Sequence, residues 1–92
     1  MLVHPAHGQA VHEIAETAAS DSARLGAFWS SALAVGLSSL AAGFAVAYVG
    51  AAAVGAISEK PEIVGRALIF VGLAEGIAIY GLIIALIILS RI

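Results

Sequence analysis

Polar and apolar positions divide the 92-residue chain into four stretches. Residues 1–24 carry seven of the thirteen charged or histidine side chains: His4, His7, His12, Glu13, Glu16, Asp21 and Arg24. Residues 25–57 carry no charge at all. Residues 58–66, SEKPEIVGR, form a short polar break, and residues 67–92 are apolar except for Glu75 and Arg91. A helix needs about 20 apolar residues to cross the hydrocarbon core of a bilayer, and both long stretches meet that length. Hydrocarbon offers the backbone no hydrogen-bonding partner, so both must be helices. The pattern predicts an all-α membrane protein: an extension over 1–24, a first span over 25–57, a polar loop over 58–62 and a second span over 63–92. With so short a connection the spans form an antiparallel hairpin, and Pro61 suits the first position of the second helix. A first span of this length reaches roughly 50 Å at 1.5 Å per residue, so it must tilt or protrude.

The extension is open to three readings: an amphipathic helix lying on the membrane, a continuation of helix 1, or a frayed polar tail. Val11, Ile14, Ala15, Ala18 and Ala19 stand at helical spacing. It does not read as a secretory signal, since no charged start leads into an apolar core. His4, His7 and His12 are spaced too loosely, and broken by Pro5, for a metal site.

Composition agrees. At 62% hydrophobic and 11% charged, a soluble domain of this size could not bury its apolar surface. A net charge of −2 with no basic patch gives no footing for nucleic acid. No cysteine is present, which excludes disulfides and thiolate chemistry. Lys60 and Arg66 beside the loop lean weakly toward a cytoplasmic loop.

Residue size then distinguishes the two spans. Gly36, Gly43 and Gly50 recur every seven residues on the first, among many alanines, whereas the second is rich in Leu and Ile and has Gly72 and Gly76 around Glu75. Small residues let helix backbones approach closely in lipid. A thin helix 1 and a thick helix 2 suit a ring with helix 1 inside. A hairpin dimer packed through glycines is the simpler arrangement, and close packing does not fix the oligomer number.

Glu75 is the candidate functional residue. A charged carboxylate at mid-membrane costs about 2.5–3.5 kcal/mol on insertion scales, and intramembrane acids mark ion pathways by default. The protonated or ion-paired form is therefore favoured, and the residue reads as a reversible cation site. Counted back by equal distance from the loop, helix 1 reaches Ala45, Val46 and Ala47 at the depth of Glu75, and none has a side-chain oxygen. Gly76 has none either, and Tyr48 and Tyr80 are the nearest candidates. Ser38 and Ser39 stand about two turns too far from the loop. A sodium ion wants several hard oxygen ligands, whereas a proton needs one carboxylate, so the proton is preferred.

The run AGFAVAYVG, the loop with Pro61, and LAEGIAIYGLIIALI together resemble the proteolipid (c or K) subunit of rotary ATPases over about residues 30–92, in the V-type and A-type branch. F-type subunits share the plan but usually have an Arg-Gln-Pro loop, where this chain has Glu59-Lys60-Pro61. The resemblance implies a homo-oligomeric ring in the membrane lipid, in a prokaryotic cell membrane, with Glu75 on the outer helix as proton carrier. It implies that Ser58, Glu59, Lys60, Pro61 and Glu62 face the cytoplasm and grip the central stalk subunits. A static stator subunit would supply an arginine to pair with deprotonated Glu75. Sodium-specific relatives place a glutamine where this chain has Val46 and often a hydroxyl residue where it has Gly76, so a sodium-coupled ring is disfavoured. No phosphate-binding loop is present, so the chain itself is not expected to be an enzyme, and no cofactor or metal is called for. The competing classes are a small holin-like pore with Glu75 lining water, and a purely structural membrane subunit with Glu75 bonded to a partner.

Overall fold

The computed structural model describes residues 5–92. Helix α1 spans Pro5–Glu59, a single 3-10 turn covers Pro61–Ile63, and helix α2 spans Val64–Ser90. The two helices run antiparallel against each other in a rod 87 Å long and 17 by 10 Å across. The reversal is sharp because of Pro61. A residue preceding proline is pushed out of the helical region, and Lys60 adopts φ −134° and ψ 85°. It is the one non-helical residue between the elements, where a five-residue loop was expected. The Lys60 N–H still donates to Ala56 O at 2.8 Å, and Ile63 N–H closes the turn on Lys60 O at 3.1 Å.

The seam between the helices is built from small side chains. Ala67, Ala74, Gly81 and Ala85 of α2 are buried, as are Ser31 and Ala42 of α1. Ser31 Oγ donates across the seam to Ala85 O at 3.4 Å. Gly81 lies directly on α1: a Cβ added there would collide with Ser38 Oγ, come to 2.5 Å of Ser38 Cβ and come to 2.6 Å of the Ala34 carbonyl. The Ser38 hydroxyl turns back onto its own helix, to Ala34 O and Val35 O, which satisfies it without a partner on α2. The helices approach closely at Gly81 because nothing projects there, as packing in lipid requires.

Apart from this seam the hairpin is apolar outward. Few residues of either apolar span are buried, unlike the core helices of a soluble protein. Lipid or further copies must cover them. Helix α2 ends at Ser90, which the seam register brings opposite Trp29 of α1. Trp29, 65% exposed, and Arg91 mark that end of the span, as interfacial anchors do. Of the three readings for the extension, residues 5–24 continue α1 without a break.

Gly81→Val should therefore force the helices apart and cost about 1–3 kcal/mol in overpacking, read as a lowered unfolding temperature of the purified protein. Gly65→Ala, where a Cβ meets nothing within 4 Å, should be neutral or slightly stabilising because alanine outranks glycine in a helix.

Candidate ion-binding site

Glu75 sits on α2 eleven residues, about 17 Å, from the start of the helix and fifteen residues, about 22 Å, from its end. That is the middle of the span. Its neighbour Ala74 is buried against α1, while Glu75 itself is exposed. One residue is about a 100° turn of the helix, so the carboxylate leaves the hairpin sideways, neither into the seam nor straight away from it. It makes no hydrogen bond and no ion pair among the described residues; the ion pair seen there is His12 Nε2 with Glu16 Oε1 at 3.1 Å, far out on the extension.

The seam register fixes what lies abreast of it. Gly81 rests on Ser38, and six residues toward the loop from each brings Phe44 level with Glu75. The expected depth partners, Ala45, Val46 and Ala47, are thus displaced by one to three residues, because the reversal is not symmetric: a 3-10 turn over Pro61–Ile63 follows Lys60 on the α2 side alone. The chemistry is unchanged, since Phe44 has no oxygen. Its ring stacks on Tyr48 with centroids 5.2 Å apart.

Of the residues singled out with Glu75, Val46 and Gly76 are half-buried and Tyr80 is 68% exposed. Tyr80 lines a groove with Ser38, Ile77 and Gly81. A Cβ added at Gly36, Gly43, Gly50, Gly72 or Gly76 would meet nothing within 4 Å, so none of these glycines packs inside one hairpin. The glycine that does is Gly81, which sequence reasoning passed over. Its signal was the seven-residue row of small residues Ala67, Ala74 and Gly81.

Ser58, Glu59, Lys60, Pro61 and Glu62 are all exposed at the hairpin tip, with the Ser58 hydroxyl donating to Gly55 O at 2.7 Å. At the other end, His7 and His12 lie on α1, and His4 lies outside the described residues. Among the described residues no three histidine or acidic side chains come together as a metal site would need.

The family model for the ATP synthase C subunit matches residues 29–88. The chain is 46% identical over 57 residues to the K subunit of the A-type ATP synthase of Sulfolobus acidocaldarius, covering 62% of this chain and 56% of that one. It is 50% identical over 60 residues to the c subunit of the V-type proton ATPase of Candida tropicalis, covering 64% of this chain and 37% of that one. The human V-type proton ATPase 16 kDa proteolipid is 48% identical over 60 residues, with 64% and 38% covered. The chain therefore spans between about a third and a little over half of the length of these curated relatives.

A carboxyl group that faces lipid and holds a proton reacts with an apolar carbodiimide, whereas solvated, ionised carboxylates do not. Mass spectrometry of labelled membranes should find the adduct on Glu75 alone among the six acidic residues. The labelling rate should fall as pH rises, because the reaction needs the protonated acid.

Proposed function

Since the chain belongs to the ATP synthase C subunit family, whose members are two-helix membrane hairpins that form rings, we propose that it is the proton-carrying rotor subunit of a rotary ATPase of the V/A type. The observation that carries this reading is a single unpartnered carboxylate, Glu75, exposed on the flank of α2 at mid-membrane. In a ring with α1 inside and α2 outside, that flank faces the gap between adjacent outer helices. Gly72 and Gly76, with open space at their Cβ positions, let a neighbouring helix come close beside it.

The mechanism follows from the cost of charge in hydrocarbon. Facing lipid, Glu75 holds a proton and is neutral, so the ring turns freely. Facing the stator, it loses the proton and its charge is met by the stator arginine, which supplies the counter-charge that lipid lacks. A membrane potential supplies about 2.3 kcal/mol per charge per 100 mV. One proton per subunit step sums around the ring into the work of turning the central stalk, held by the exposed tip from Ser58 to Glu62. The ATP chemistry takes place in other subunits, and this chain is a non-catalytic member of the complex.

Two features favour a proton over sodium. Phe44 stands abreast of Glu75, and neither Val46 nor Gly76 offers an oxygen, so one hairpin presents no ligand set for a hard cation. The V-type relatives, moreover, are named as proton ATPases.

Glu75→Gln should leave an assembled ring of unchanged mass and abolish proton pumping in reconstituted complexes. Pumping that persisted at wild-type rate would refute the role. In the wild type, sodium near neutral pH should not slow carbodiimide labelling of Glu75; protection by sodium would reverse the choice of ion.

A further inference from the structure

Among the described residues the extension has no packing partner. α2 ends opposite Trp29, so residues 5–28 of α1 project past it as a lone helix of about 36 Å. From Ala6 onward every residue of that projection is exposed except Ala27, which is half-buried. Most helical stability in proteins comes from packing an apolar face rather than from propensity, and the residue pattern around this projection is lopsided. At the base of the projection, Ala27 and Ser31 turn toward α2. Counted back from them at about 100° per residue, the same face continues through Gln9, Glu13, Thr17, Ser20 and Arg24. All five are polar, as suits a face that α2 no longer covers. The apolar positions fall to the sides. One flank carries Ile14, Ala18 and Leu25, with Val11 beside them and the polar His7 and Asp21 among them. The other is low: Gly8, Ala15, Ala19, Ala23 and Gly26, with His12 among them.

We propose that the extension is a second subunit interface, in which each copy lays its Ile14–Leu25 flank into the low alanine and glycine flank of the next copy. The result is a palisade of parallel helices that carries the ring beyond the membrane surface. The inference rests on the ring reading. A ring is built by head-to-tail contacts, in which two different surfaces of the subunit meet, and the extension has two such flanks, one raised and one low. The ring also supplies proximity. Neighbouring α1 helices in contact stand about 8–10 Å apart, and the extensions are unbroken continuations of them. Each extension is thus held beside its neighbours at high effective concentration. The interface is continuous with the contact between the inner helices. The occupant is a second copy of this chain, since a membrane surface would require the helix to bend away from α1, and α1 runs unbroken through this region.

The cysteine-free chain allows a direct test. Two double variants place thiols on opposite flanks at two heights: His12→Cys with Ile14→Cys, and Ala23→Cys with Leu25→Cys. Residues two apart on a helix do not face each other, so any disulfide must join two copies. Glu13→Cys with Ser20→Cys, both on the polar face, is the control. After mild copper-phenanthroline oxidation of assembled rings, non-reducing electrophoresis should give a ladder ending at the full ring for both flank pairs, with the control remaining monomeric. A ladder from the 23/25 pair with none from the 12/14 pair would mean that the extensions splay apart, overturning the proposal while leaving the ring. A control that cross-links as well as the flank pairs would overturn it too. The native mass of the reduced samples checks the ring independently: a single-subunit mass there would sink the ring reading itself.

Discussion

Hydrocarbon gives a polar group nothing to bond to, and the rest of this structure depends on that constraint. The backbone meets it by forming two unbroken helices, joined by a reversal of one extended residue at the hairpin tip. Two serines at the seam meet it by turning their hydroxyls onto backbone carbonyls, Ser31 across the seam and Ser38 onto its own helix. Glu75, the one acidic side chain within the two spans, has no partner inside the hairpin. A group that can be satisfied only by a proton or by another subunit is suited to exchange between the two. The function proposed for the chain is that exchange repeated around a ring.

The same constraint governs packing. Lipid gives no hydrophobic drive for one apolar helix to meet another, so contact is decided by how closely backbones can come. Within the hairpin that role falls to Gly81, with Ala67, Ala74 and Ala85 along the same face. The remaining glycines of the two spans have open space around them in the single chain. The hairpin thus uses one set of small residues to close on itself and leaves another set for its neighbours. The extension is arranged differently: its polar face is the one that α2 no longer covers, and its apolar positions lie on the flanks.

Hydropathy made the two spans, the hairpin and Glu75 legible in the sequence, because a charge-free run and a lone carboxylate contrast sharply with their surroundings. The seam was not legible in that way. α2 is apolar on every side, so no amphipathic period marks the face that meets α1. Only residue volume does, and the row Ala67, Ala74, Gly81 is a quieter signal than the glycines at 72 and 76. The depth partner of Glu75 slipped to Phe44 because equal counting from the loop assumes a symmetric reversal, whereas a 3-10 turn follows Lys60 on the α2 side alone. The fate of residues 5–24 was undecided because their weak apolar stripe fits a surface helix, a continuation of α1 or a tail equally well; helical propensity carried α1 straight through Arg24.

The central claim is that Glu75 rides on the outside of a closed ring, between hydrocarbon and the flank of a neighbouring outer helix. Electron cryo-microscopy of the assembled ring in a lipid nanodisc tests it most directly. The expected result is concentric circles of α1 inside and α2 outside, with the Glu75 side chain at the outer rim, at the bilayer midplane. A bundle in which Glu75 lines a water-filled centre would contradict it.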